Sequence, residues 1–544
     1  MYSRSKWTAA LAVIVVLTGI LSACAPAEPE VVEVTRVVTE KEEVEVTKVV
    51  KEEVEVTAVP EEEKKVFRFG RVAGAVNPDP VFTDANYDIW YMQQYYSGLL
   101  RFTKDLEVEG DLATGCEASE DGLTYTCQLR EGITFSDGTP ITAEDWEWSL
   151  NRARNPENGI WSFTLSAVES IEATDETVTF ELSEPYAPFI YSLALFNAVV
   201  MPKAKVEEAG GWENFMNNPI GAGPFMMEEW KRGEYMRLAK NPNYWEADRI
   251  NIDEIMLRNI PDDNARILAV QAGEVDAINY APFNRVPDLQ QDPNVNVTFF
   301  PGTAQQTINF NHRMDEFSDP RVRRALCLAL DKDAFIETVN FGVGEVATTY
   351  LPHADQYHDP DLEGWPYDPE EAKRLMEEAG YADGFDIAFT TREGRQAYQQ
   401  IATLTQSMWE PLNVNIEIQP LETGLYYDRY YNNEFESQIN GWTNDVPDPS
   451  QKTGYYMDYS VAECVHSGWE TPDDVKALID EGVTTLDEER RQEIYSSLQQ
   501  TYNEETIHCP LYEEPYLVVL GPAVRNFYQT PLGTYVWRDL DVSR

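Results

Sequence analysis

The chain has 544 residues, too many for a single hydrophobic core, and its 43% hydrophobic content supplies two or three packed domains rather than a small disulfide-stapled scaffold. Its 95 acidic side chains against 42 lysines and arginines leave a net charge of -53, which repels phosphate backbones and anionic lipid headgroups and makes nucleic acid a poor partner. Aromatic side chains make up 12%, with 13 Trp and 29 Tyr, and they suit a wet pocket that still offers apolar contact as well as a core.

At the start of the chain, Arg4 and Lys6 precede an apolar run from Trp7 to Leu21. The run is short for a membrane span and has the pattern of a secretory signal, here residues 1–23. Leu21-Ser22-Ala23-Cys24 resembles the lipobox of bacterial lipoproteins, in which the cysteine, here Cys24, is diacylated and becomes the first mature residue. A single plain transmembrane helix is the alternative. Residues 24–65 are of low complexity, with Val-Glu-Val-Thr recurring at 32, 44 and 54. A lone charged ribbon has nothing to bury against, so an acidic flexible tether is expected there.

From Val66 onward short strand-like runs mix with helical periods, which places the globular part in the α/β class. Between Cys116 and Cys127 the Asp121-Gly122 pair reverses the chain, so a disulfide across a hairpin is expected. Asp137-Gly138-Thr139-Pro140 reads as a turn leading into a helix capped by Thr142 with Asp145, whose Trp146, Leu150 and Ala153 share one face. Strands are expected at 178–182, 295–300 and 414–418, each rich in branched or aromatic residues. Asp319-Pro320 and Asp368-Pro369 each set a capping acid before a proline at the first helical position. Cys327 falls on the apolar face of the first of these helices and reads as a buried thiol. The second helix carries Ala372, Leu375, Met376 and Ala379 before a stop at Gly380. Gly221-Ala222-Gly223 and Gly342-Val343-Gly344 read as turns rather than phosphate loops.

Catalytic and metal patterns are thin. The histidines have no His-Glu-x-x-His spacing, no Gly-x-Ser-x-Gly elbow occurs, and no cofactor is called for. Cys464 and Cys509, each beside a histidine (His466 and His508), offer two sulfurs and two nitrogens to zinc, but outside the cytoplasm a Cys464–Cys509 disulfide is the preferred reading. Five cysteines remain after Cys24, an odd number that leaves at least one free.

The run Asp121-Gly-Leu-Thr-Tyr-Thr-Cys-Gln-Leu-Arg-Glu-Gly-Ile-Thr-Phe-Ser-Asp-Gly-Thr-Pro-Ile-Thr-Ala-Glu-Asp145 strongly resembles the signature of family 5 solute-binding proteins, the peptide, dipeptide and nickel receptors of ABC importers. Further matches follow in that family's order: Gly221-Ala-Gly-Pro-Phe225, Asn241-Pro-Asn-Tyr-Trp245, Gly273-Glu-Val-Asp276, Phe317-Ser-Asp-Pro-Arg-Val-Arg-Arg-Ala-Leu326, Tyr367-Asp-Pro-Glu-Glu-Ala-Lys373 and Gly441-Trp-Thr-Asn-Asp445. The resemblance runs from Val66 to the C-terminus. It implies a two-lobed, type II Venus-flytrap fold: lobe one from 66–101, 220–305 and 520–544, an inserted subdomain at 102–219, and lobe two at 306–519. It further implies a lipid-anchored, extracytoplasmic, monomeric receptor without catalytic activity. Such a receptor closes about a hinge on a peptide or other small solute and passes it to permease subunits and their ATPases.

A receptor for many peptides must hold what peptides share, and an enclosed ammonium needs a carboxylate partner. The Trp-x-x-Asp spacing resembles the family position whose aspartate binds the ligand's α-ammonium, which nominates Asp445 with Gly441 and Trp442 beside it. A loop acid beside Asp448 and Pro449 is the alternative for Asp445, and core filler for Trp442. For the ligand carboxylate the resemblance points to Arg392, in a neighbourhood (Thr391-Arg392-Glu393-Gly394-Arg395) that departs from the family's sequence. A solvated arginine paired with Glu393 is an equal reading. An oligosaccharide, a nickel complex or another solute on the same fold, and a hydrolase on this scaffold, remain as alternatives. For the excess acidity, a saline habitat and attraction of cationic ligands are both open.

Overall fold

The computed structural model describes residues 64–543 except 84 and 459–467. The signal segment, Cys24, residues 25–63 of the tether, Cys464 and His466 lie outside the described residues. Among the described residues no helix is long and apolar enough to cross a membrane.

The largest sheet has eleven strands and is built around two long ones, Asn296–Phe310 and His508–Leu520, which run antiparallel side by side. Beyond the first of them lie Ser437–Trp442, Phe385–Arg392 and Val414–Leu421 in that order. Beyond the second lie Ala277–Asn279, Val66–Arg71, Glu254–Asn259, Tyr235–Lys240 and Phe225–Lys231. The register of the long pair is interrupted between Phe300 and Ala304, at Pro301-Gly302-Thr303. There the backbones nearly touch: a Cβ on Gly302 would lie 2.6 Å from the Glu514 carbonyl oxygen.

On either side of this interruption the strands are buried by different cores. Ile308 and Phe310 pack with Leu326, Phe389, Trp409, Ile439 and Leu511. Leu517 and Val519 pack instead with Ile267, Ile278 and Leu289, and Val518 with Phe67 and Leu257. A separate antiparallel sheet, Ala113–Ala118, Thr124–Leu129, Thr177–Leu182 and Val168–Ala173, packs on the helix Ala143–Arg154 through Trp146 and Leu150.

Local chemistry accounts for the helix ends. Thr142 and Asp145 form a reciprocal capping box, and Asp319 and Asp368 accept from backbone N–H groups at the starts of Pro320–Leu328 and Pro369–Glu378. Gly380, at φ +87°, takes the left-handed turn that ends the latter helix. Gly221 and Gly223 are neither turns of convenience nor phosphate loops. A Cβ on Gly221 would lie 1.9 Å from the Tyr95 carbonyl oxygen, so these glycines let the chain pass against the end of the helix Asn86–Tyr95.

Cys116 and Cys127 stand directly opposite one another on adjacent strands and are joined as a disulfide. The reading of Cys327 as a free thiol and of Cys509 as the partner of Cys464 is corrected: Cys327 is bonded to Cys509, with Cα atoms 5.7 Å apart. The apolar face of Pro320–Leu328 lies on the strand His508–Leu520 and brings the two buried sulfurs together. Zinc bound by Cys509 is thereby excluded, and among the described residues no His, Cys, Asp or Glu cluster is arranged for a metal. The sequence separations, 11 and 182 residues, correspond to loop-closure stabilisation of about 3 and about 5 kcal/mol at most. Non-reducing peptide mapping is expected to recover both crosslinked pairs, with Cys464 in neither. Removal of the second pair by Cys327→Ser with Cys509→Ser is expected to lower Tm more than removal of the first.

Candidate functional site

The segment Gly441–Asp448 leaves the sheet where its two cores meet. Its strand, Ser437–Trp442, is fixed in register against Asn296–Phe310, with Gly441 opposite Gln306 and Trp442 opposite Gln305. Gly441 is required by close approach: a Cβ there would lie 2.8 Å from Gln306 Oε1 and 3.1 Å from the Tyr398 hydroxyl. Trp442 is half-buried at the margin of the core, stacked on Tyr455 with ring centres 4.1 Å apart, and its indole N–H has no acceptor. It thus packs at the margin of the core.

Beyond the strand the loop is held at Asn444, Asp445, Val446 and Asp448. Asn444 N–H donates to Thr303 Oγ1 (3.0 Å), and Asn444 Nδ2 donates to Asp355 Oδ2 (2.9 Å). Gln451 clamps the turn, its Oε1 accepting from the backbone N–H of Asp445 (3.1 Å) and of Val446 (3.2 Å). Val446 is buried in the core of the four-stranded sheet. Asp448 caps the helix Pro449–Met457 and pairs with Arg491 at 2.9 Å in full burial. That ion pair anchors the loop and its charges are satisfied, so Asp448 is structural.

Asp445 differs from Asp448. Its Oδ2 accepts one hydrogen bond, from Gln451 Nε2 at 3.0 Å, and among the described residues no lysine or arginine pairs with it. Burial pushes its carboxyl up to about 6, with the Gln451 hydrogen bond opposing. Asp445 and Asn444 share a small chamber, about 20 Å³, with Asn86, Trp90, Gln93 and Phe196 from the other half of the molecule. That volume admits little more than a water molecule or an ammonium head. Asp445 is half-buried on its loop, with its carboxyl turned into this chamber.

Arg392 ends the strand Phe385–Arg392. It is half-buried, donates to the Tyr427 hydroxyl at 2.9 Å, and its guanidinium lies 5.7 Å from the Tyr398 ring centre and 5.8 Å from that of Tyr427. Among the described residues it makes no ion pair, with Glu393 or any other acid. It does not line the Asp445 chamber, and Tyr398, whose hydroxyl reaches Gly441, stands between the two positions.

Asn444, Gln451 and Asp355 escaped the sequence reading. Asn444 lay inside the Trp-x-x-Asp motif but at a position the motif leaves unspecified, while Gln451 and Asp355 carry no local pattern. Burial also pushes the Asp355 carboxyl up to about 6.

A family model described as bacterial extracellular solute-binding proteins, family 5 Middle, matches residues 107–462. The glutathione-binding protein GsiB of Salmonella typhimurium is 31% identical over 335 residues, 61% of this chain and 65% of that protein, just under two thirds of the relative's length. Among solved structures, HbpA2 from Haemophilus parasuis superposes with a TM-score of 0.80 at 25% identity, over 88% of this chain and 100% of that one. The ABC transporter-associated periplasmic binding protein DppA from Helicobacter pylori, solved with the peptide STSA, gives a TM-score of 0.75 at 24% identity, over 90% and 100% of the two chains.

A desolvated carboxylate without a cation raises the free energy of the ionised folded state. Its folded value of about 6 stands above the ordinary 3.8, so the folded protein binds the extra proton and gains stability as pH falls from 7 toward 4. Asp445→Asn is accordingly expected to raise the Tm of the ligand-free protein at pH 8, by about 1–2 °C, and to have little effect at pH 4. Thermal scans at the two pH values read this directly.

Proposed function

The chain belongs to the bacterial extracellular solute-binding proteins, family 5, and from that membership we propose that it captures short peptides between its two lobes and delivers them to an ABC importer. Proteins of this family are transport binding proteins rather than enzymes, and the chain has their two-lobed mixed α/β fold. In this reading the receptor works outside the cytoplasm as a monomer held by a lipid on Cys24. Lobe one comprises 66–101, 220–305 and 520–544 with 102–219 inserted, and lobe two comprises 306–519. The crossing itself lies at Pro301–Thr303 and the facing residues around Glu514.

The observation that carries the peptide reading is Asp445: a half-buried carboxylate that pairs with no cation among the described residues, in a chamber of ammonium size walled by both lobes. A ligand ammonium there would satisfy the charge and tie the lobes together, which gives the closed form a binding-dependent stability. Opening at the register break between Phe300 and Ala304 admits the ligand. The peptide backbone would lie along Gly441-Trp442, whose strand edge offers main-chain groups. Arg392, half-buried and without an ion pair, is the proposed anchor for the ligand carboxylate. Glutathione, which carries a free ammonium, belongs to the same class of ligand and is favoured as a candidate by the GsiB likeness.

Mass spectrometry of ligand retained through native purification is expected to give masses of peptides or peptide conjugates. Sugars or metal chelates in their place would overturn the reading, as would turnover of a peptide or glycoside panel. By calorimetry, N-acetylation of a bound peptide or Asp445→Asn is expected to weaken binding at least ~30-fold, about 2 kcal/mol, the scale of removing one partner from an enclosed charge pair. Equal affinity for free-amine and acetylated peptides would refute it.

A further inference from the structure

A second chamber, of about 450 Å³, shares Asn444 and Leu532 in its lining with the Asp445 chamber. Its walls come from three parts of the molecule: Asp105, Glu107 and Tyr191 from the 102–219 segment, Thr303 and Pro531 from the crossing, and Asp355 with Asn444 from the second half. Three carboxylates line it and no lysine, arginine or histidine does. Asp105 is already paired with its neighbour Lys104. Glu107 and Asp355 have no ion pair among the described residues. Lys452 is buried within electrostatic reach of Asp355 and Glu513, but it does not line the chamber and no carboxylate lies within ion-pair distance of it.

A second, independent observation concerns Asn444. The residue is 2% exposed and its Nδ2 is spent on Asp355, while among the described residues its Oδ1 meets no donor. A buried carbonyl oxygen left without a donor is costly, and here it belongs to a residue that walls both chambers. The lining of the second chamber therefore presents acceptors in excess: Asn444 Oδ1, the Asp355 carboxylate and the Glu107 carboxylate. An anionic side chain placed there would face like charge and bury its own acceptors against others.

We propose that the second chamber is a side-chain subsite for a basic residue, so that the receptor prefers peptides carrying a lysine or arginine near the ammonium end over neutral or acidic ones. The inference rests on the peptide reading and names its ligand class. Asp355, positioned by Asn444 and the Tyr357 N–H, takes the side-chain cation at the inner wall, and Glu107 faces it from the subdomain. The chamber's volume accommodates such a side chain with its residual water. The same lining disfavours ligands with a carboxylate beside the ammonium, glutathione among them, and so ranks basic peptides above that candidate.

The test uses calorimetry on the full globular protein with alanine tripeptides carrying one lysine at each position in turn, each compared with its ε-acetyl-lysine counterpart. At one position acetylation is expected to weaken binding about tenfold or more, the scale of a charge-assisted hydrogen bond, and glutamate there is expected to bind more weakly still. Asp355→Asn with Glu107→Gln is expected to bring the lysine and acetyl-lysine affinities within about twofold; Glu107 is exposed, so Glu107→Gln alone serves if the double variant fails to fold, and it is expected to narrow the gap. Acetylation without effect at every position overturns the subsite while leaving the peptide reading in place. Absence of binding by every tripeptide, the trialanine included, overturns the peptide reading and the subsite with it.

Discussion

A carboxylate partly withdrawn from water with no cation beside it is unstable unless the fold holds it there, and contacts at Asn444, Asp445, Val446 and Asp448 do so. Gln451 binds the backbone N–H of Asp445 and Val446 and then donates to the Asp445 carboxylate itself. Thr303 and Asp355 hold Asn444, and the buried Asp448–Arg491 pair fixes the far end. Stability is lost at Asp445 and recovered around it, as the proposed ammonium site requires.

That preparation depends on the crossing strands. Asn296–Phe310 and His508–Leu520 pair along both cores yet lose register between Phe300 and Ala304, so a single sheet contains its own joint. Thr303, at this joint, is also the residue that binds Asn444. The crossing is thereby joined to the loop bearing Asp445, and Val446 carries the same loop into the core of the four-stranded sheet. Residues from both sides of this break wall the chamber, as the proposed closure on a ligand requires.

Elements with local causes were legible in the sequence. Capping acids before Pro320 and Pro369, the Thr142–Asp145 box and the Asp121-Gly122 reversal each specify structure within a few residues. The strand His508–Leu520 was not legible, because Pro510 and Pro515 argue against a central strand. Both prolines sit where the pairing is irregular: Pro510 follows a register shift at Gln306/Thr307 and Pro515 lies opposite the break at Phe300/Ala304. The Cys327–Cys509 bond was misread for a related reason, since a 182-residue separation leaves no local trace. At the site, Asp445 and Trp442 were found through a motif, while Gln451, Asp355 and the unpaired oxygen of Asn444 depend on contacts across distant segments.

The central claim is that Asp445 is the counter-charge for a ligand ammonium. Carboxyl carbon NMR, with the Asp445 signal assigned by its absence in Asp445→Asn, measures this group's titration with and without a saturating free-amine peptide. The account predicts titration near 6 in the free protein and below the ordinary 3.8 in the complex, because an enclosed ammonium stabilises the ionised form. A titration that stays near 6 when the cleft is occupied would contradict it.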